Sequence, residues 1–323
     1  MGKTAFISGI SGQDGAHLAA LLLTRGYTVY GSSRDAELSS FANLTRLGIR
    51  DKVAVLSMAP NDFRSVLQAL DRSQVDEVYN LAGQSSVGLS FEQPVETLES
   101  VAIGTLNLLE AIRFLKRPIR FYNAGSSECF GDTGASAANE STAFRPRSPY
   151  AVAKATAVWQ VANYREAYGM FACSGILFNH ESALRPLRFV TQKIAAGVAE
   201  IAAGQRDTLE LGSLHIARDW GWASEYVEAM YLMLQQDRPE DFVIATGQTA
   251  TLEEYVAASF AAAGLDWRDH VRHNNAFVRP TDIAVSSADP SKAADRLGWR
   301  AQTRMKAVAA AMVEAATARL LNL

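Results

Sequence analysis

TAFISGISGQDG, residues 4–15, is the stretch whose reading decides the fold. Residues 4–8 read as a short apolar strand, and glycines follow at Gly9, Gly12 and Gly15. Residues 16–24, HLAALLLT after an alanine, then carry a helical pattern that stops at Arg25 and Gly26. A strand that breaks on glycines and opens a helix suits a pyrophosphate. The glycines permit the tight turn, and the backbone N–H groups of Gly9, Ile10, Ser11, Gly12, Gln13, Asp14 and Gly15 can approach the anion. The helix N-terminus adds partial positive charge. The turn is therefore read as a dinucleotide site, with a purely structural turn as the weaker reading.

Working outward, residues 28–31, 53–57, 77–81, 119–124 and 172–178 read as further strands. Residues 63–70, 101–114 and 151–168 read as helices between them. Strands that alternate with helices predict an α/β fold, a doubly wound parallel Rossmann sheet with helices on both faces. Residues 1–178 are expected to form this dinucleotide domain. Residues 179–323 are expected to form a smaller mixed α/β substrate lobe, with helices at 190–203 and 251–263 and a mostly helical end at 291–323. Residues 220–234 are expected to return to the first domain as a helix.

Composition removes several classes. Of 323 residues, 48% are hydrophobic, enough for a sizeable core, and a net charge of -3 argues against a nucleic-acid partner. The two cysteines, Cys129 and Cys173, make no disulfide framework and fit a reducing compartment. The five histidines show no metal-ligand spacing, so no metal is expected. MGKTAFISG runs straight into the first strand without a signal-peptide pattern. No apolar run reaches the ~18 residues of a membrane span. The expected location is the cytoplasm.

The second strand ends in Gly31-Ser-Ser-Arg34-Asp35. An acid there binds a ribose 2′-hydroxyl, and an arginine accommodates a 2′-phosphate. Ser33 and Arg34 point to NADP, while Asp35 keeps NAD open.

Tyr150 and Lys154 stand four apart in SPYAVAK, at the start of a helix. Positions i and i+4 share a face, so both can reach one ligand. A free phenol titrates near ~10 and needs nearby positive charge to serve as a base. One strand earlier, in AGSSE, Ser126 can hydrogen-bond the reacting oxygen. Glu128 is an addition to this set. A plain reductase has no need of a carboxylate beside the reacting carbon. An elimination does, because a proton next to a carbonyl must leave.

The three-and-three glycine spacing is the form used by short-chain dehydrogenase/reductase relatives. At greater length the chain resembles the GDP-mannose 4,6-dehydratase family of that superfamily's extended branch. The resemblance rests on GISGQDG, EVYNLAGQSSVGLSFEQPVET, GTLNLLEAIRF, RFYNAGSSECFG, RPRSPYAVAK, GILFNHES and RDWGWASEYVEAM, and covers nearly the whole chain. It implies that Glu128 is the base of a T-S-E signature in which Ser126 replaces threonine, and that Tyr150 and Lys154 are the redox pair. It places Leu81, Ala82, Gly83, Gln84 and Ser85 at the strand end beside the cofactor, with His180 and Arg185 also near it. It places Ser86, Ser127, Asn179, Lys193, Arg218 and Arg279 toward the GDP-sugar. It also implies a homodimer or homotetramer.

The chain departs from the family pattern in four further places. SSRDAELSS replaces an arginine-rich run, Ala59 replaces an aspartate after the third strand, Pro186 follows Arg185 in place of glycine, and Gln192 replaces an arginine. The activity implied is a redox-neutral dehydration of a GDP-hexose to a 4-keto-6-deoxy sugar. The alternatives are a 4-keto-6-deoxy-sugar reductase or a 4-epimerase and, from another class, a non-catalytic dinucleotide-binding regulator.

Overall fold

The computed structural model describes residues 2–277 and 281–321. The chain forms twelve strands there: β1 (Thr4–Ser8), β2 (Thr28–Ser33), β3 (Val53–Ser57), β4 (Glu77–Asn80), β5 (Arg120–Ala124), β6 (Ala172–Leu177), β7 (Asn179–Glu181), β8 (Leu209–Leu211), β9 (Ala217–Trp222), β10 (Phe242–Ile244), β11 (Thr249–Thr251) and β12 (Val271–His273). Seven make one parallel sheet in the order β3-β2-β1-β4-β5-β6-β10. The strands on one side of β1 run outward to β3, and the chain then crosses back to place β4 on its other side. That reversal leaves a crevice at the carboxyl ends of β1 and β4, where open α/β sheets bind ligands.

Helices cover both faces because the inner strands are buried on both sides. Phe6, Val66, Val78, Leu108, Ile112 and Phe121 belong to the core of one face. Ile7, Leu18, Leu22, Val29, Met230 and Met233 belong to the other. A separate core around Ile194, Trp220, Tyr255, Phe260, Val308 and Met312 holds the carboxyl-terminal helices together. There the three-stranded sheet β11-β9-β7 and the pair β12-β8 supply the strands.

Local signals explain where the helices that carry the site begin. Ser148 caps the helix Pro149–Tyr168, its Oγ accepting from the Ala151 N–H at 3.1 Å, and Pro149 sits in the first turn. Gly169, at φ 65°, closes it. Asp62 caps Phe63–Ser73 by accepting from the Arg64 N–H at 3.0 Å.

Two expectations change, and one strand pairing is unanticipated. Residues 220–234 are not one helix: β9 runs through Trp222 and the helix Ala223–Leu234 follows, packed beside the first helix, Gln13–Thr24. The expected helix at 101–114 is Gly104–Leu115, preceded by a π-helical turn at Glu99–Ile103 and a short helix at Pro94–Leu98. β10 joins the main sheet beside β6 although it lies far along the chain.

Candidate active site

The crevice at the β1–β4 switch opens into a cavity of about 950 Å³. Its floor is the glycine turn. Gly9 has φ 86°, and a Cβ there would stand 2.8 Å from the Ala82 backbone nitrogen. A Cβ on Gly15 would stand 2.3 Å from the Gly9 carbonyl oxygen. Both positions therefore require glycine, and the close approach leaves the amino end of the helix Gln13–Thr24 facing the cavity. Ser11, Gly12, Gln13 and Asp14 line it. Ile10 does not: it is fully buried and packs under Gly31, where a Cβ would meet its side chain at 2.6 Å. The expected cofactor role of Ile10 is thus a matter of its backbone. Leu81, Ala82, Gly83, Gln84 and Ser85 form the facing wall.

A polar network ties this turn to β7. His180 Nε2 lies 2.9 Å from Asp14 Oδ2, and its Nδ1 lies 2.7 Å from the Phe178 carbonyl oxygen. Both partners are acceptors, a setting that favours the doubly protonated ring. Burial works against that charge, but the Asp14 carboxylate outweighs it and raises the His180 pKa. Burial likewise opposes the Asp14 carboxylate, and His180 holds it well below the usual range. Gln13 donates to the His180 carbonyl at 3.2 Å and accepts from Ser182 at 3.0 Å. The ring also stacks on Tyr226, centroids 4.5 Å apart.

Further along the carboxyl edge of the sheet, outside the lining of this cavity, β5 leads into the turn carrying Ser126, Ser127 and Glu128. Ser126 and Ser127 are buried, and Glu128 is half-buried. Ser126 Oγ accepts from the Glu128 backbone N–H at 3.3 Å, and the Ser126 side chain favours the Tyr150 phenolate. Glu128 is close enough for its charge to act on Tyr150. The Lys154 ammonium donates to the Ala124 carbonyl at 2.7 Å and lies 5.9 Å from the Tyr150 ring centre. Burial raises the Tyr150 phenol pKa, against the pull of Ser126. Burial lowers Lys154 to about 8. Both side chains are almost closed to solvent, at 9% and 8% exposure, and the cation whose charge pulls the Tyr150 phenol down is Arg185.

These groups sit on the sheet's carboxyl edge, the side where the cavity opens. A family profile described as GDP-mannose 4,6 dehydratase matches residues 6–312. The chain belongs to that family. It is 43% identical to GDP-mannose 4,6 dehydratase 1 of Arabidopsis thaliana, over 97% of this chain and 89% of that protein. It is 44% identical to GDP-mannose 4,6-dehydratase of Sinorhizobium fredii strain HH103, over 96% and 95%. A crystal structure of Thermus thermophilus UDP-glucose 4-epimerase complexed with NAD superposes with a TM-score of 0.84 at 25% identity, covering 97% of this chain and 98% of that one.

The remaining expected residues of this GDP-mannose 4,6-dehydratase family member fall into distinct surroundings. Arg185 lines the cavity, lies 3.1 Å from the buried Glu181 carboxylate, and has its guanidinium 3.7 Å from the Phe189 ring centre. Asn179 is in β7, immediately before His180. Ser86 caps the helix Val87–Glu92 by accepting from the Leu89 N–H. Lys193 donates to the Glu210 carbonyl at 2.8 Å and lies 3.5 Å over the Phe277 ring. Arg218, in β9, is buried and paired with Asp282 at 3.2 Å. Arg279 lies outside the described residues.

Ser33, Arg34 and Asp35 line the far rim of the cavity. Arg34 is 82% exposed, 3.6 Å from Glu96. Asp35 Oδ1 closes its own loop, accepting from the Glu37 and Leu38 N–H groups at 2.9 Å each. Met58, Pro60 and Asn61 form a wall after β3 that the glycine motif does not announce. Glu96, Glu99 and Ser100 form another. They come from the short helix and the π turn, and no motif marks them.

Proposed function

We propose that the protein is a lyase that removes water from GDP-mannose and yields a GDP-4-keto-6-deoxy sugar without net oxidation or reduction. The observation that carries this reading is Glu128 beside the Ser126–Tyr150 pair, an additional carboxylate that hydride transfer alone does not use. The cavity, its glycine floor and the helix amino end fit a nicotinamide dinucleotide. When bound, that cofactor supplies a reversible hydride acceptor.

The chain's own groups do the rest. Tyr150 takes the proton from the 4-hydroxyl. Lys154 lowers the cost of the phenolate and holds the nicotinamide ribose. Ser126 donates to the oxygen on which charge develops. Once C4 is a carbonyl, the C5 hydrogen is acidic, and Glu128 removes it and returns a proton to the departing 6-hydroxyl. The resulting C5=C6 double bond would then be saturated, C6 regaining the hydride lost from C4 and C5 taking the proton held by Tyr150.

Arg34, exposed at the rim, and Ser33 favour NADP, and Asp35 favours it too by being occupied within its own loop. Residues 1–178, with Ala223–Leu234 and β10, hold the dinucleotide in this reading, and the remainder holds the GDP-sugar. Ser86, Ser127, Asn179, Lys193, Arg218 and Arg279 are its substrate residues. Two buried free thiols, Cys129 and Cys173, support a cytoplasmic location. Among the described residues no helix is long and apolar enough to cross a membrane. Exposed Val152, Trp159 and Tyr168 on one helix, and Ile103 and Phe114 along its neighbour, support a homodimer through these helices.

The test is incubation with a panel of GDP-sugars and no added reductant, read by mass spectrometry. A product lighter by one water from GDP-mannose is expected. Product that forms only with stoichiometric NADPH would contradict the reading.

A further inference from the structure

Glu96 has no evident task in the fold. It lies in the five-residue helix Pro94–Leu98, and its side chain is 54% exposed. Yet it lines the dinucleotide cavity and stands 3.6 Å from Arg34, across the rim from β2. Among the described residues, Arg34 has no other ion-pair partner. Glu99 lines the same wall one turn later, so the rim opposite Arg34 is acidic.

We propose that Glu96 is a selectivity residue for the cofactor, one that narrows the preference for NADP over NAD. The inference rests on the assignment of Arg34 as the partner of a 2′-phosphate. A phosphomonoester carries roughly -1.5 to -2 charges at neutral pH. To reach the Arg34 guanidinium it must displace one anion and then remain near it. A ribose 2′-hydroxyl is neutral and meets no such opposition. Glu96 therefore weakens one cofactor and leaves the other alone. Because the pair is exposed, the effect is modest and salt-dependent.

The experiment is a double-mutant cycle on the full chain, with NADPH and NADH affinities read by titration of the dihydronicotinamide fluorescence. Glu96→Gln is expected to tighten NADPH roughly three- to fivefold and to leave NADH unchanged. Arg34→Ala is expected to weaken NADPH roughly tenfold or more. In the Arg34→Ala background, Glu96→Gln should no longer tighten NADPH, and salt should shrink its effect in the parent. If Glu96→Gln leaves the NADPH-to-NADH ratio unchanged while Arg34→Ala still weakens NADPH, the role of Glu96 is overturned and the Arg34 reading survives. If Arg34→Ala leaves NADPH untouched, both fall.

Discussion

Two ends of the sheet's carboxyl edge are built on opposite principles. At the β5 end, Ser126, Tyr150 and Lys154 are buried, carried on a strand end and a capped helix, and Ser126 and Lys154 are held by hydrogen bonds to backbone. At the β2 end, Ser33 ends the strand, Arg34 and Asp35 sit on an exposed loop and Glu96 on a short helix, and the Arg34–Glu96 contact is long. The difference teaches where chemistry and where preference reside. Burial makes each charge at the inner end matter, because little water screens it. Exposure at the outer end makes each charge adjustable, with effects from a few-fold for Glu96 to roughly tenfold for Arg34.

The largest expected effect is at the inner end. Tyr150→Phe should lower kcat by roughly a thousandfold, the scale of a lost acid–base group, with little change in cofactor affinity. Steady-state kinetics beside a binding titration would check both halves. Glu128→Gln should cost roughly a hundredfold in product formation, while a first-turnover rise in reduced-nicotinamide absorbance survives. Full turnover by that variant would favour a reductase or epimerase instead.

Lys154 sharpens the contrast by pulling stability and activity apart. Its pKa falls from 10.5 in the unfolded chain to about 8 when folded. The unfolded state thus binds more protons between those values, and stability rises with pH across that window. The burial penalty is fully present below the lower value and is relieved as pH climbs. Lys154→Met should therefore abolish turnover yet melt a few degrees higher than the parent near about pH 7, and that gap should close toward about pH 10. A variant that melts lower at neutral pH would show that the contact to the Ala124 carbonyl outweighs desolvation. The smallest effects belong to the outer rim, where the Arg34 and Glu96 substitutions should change cofactor choice and leave melting temperature unmoved.

The same contrast governs what could be read in advance. The glycine turn and the alternating strands and helices were legible because each is a local pattern, and the first six strands of the main sheet follow from them. Tyr150 and Lys154 were legible because Ser148 and Pro149 mark the start of their helix. β10 was not, since three residues paired with a strand 67 positions earlier leave no local trace. The Asp14–His180 pair joins residues 166 apart, so only the fold reveals it. The β9 segment reads as helix because its apolar residues run on into the helix that follows, and pairing with β7 and β11 decides otherwise. Glu96 looks like any acid in the first turn of a surface helix until β2 places Arg34 opposite it.

The central claim is that Glu128 turns a hydride-transfer pair into an eliminating enzyme, with the hydride taken from C4 and given back at C6. GDP-mannose deuterated at C4, incubated with the protein and no added reductant, tests it most directly. The account predicts a 4-keto-6-deoxy product that keeps the deuterium, now on C6. A product without deuterium, or deuterium that leaves on released cofactor, would contradict it.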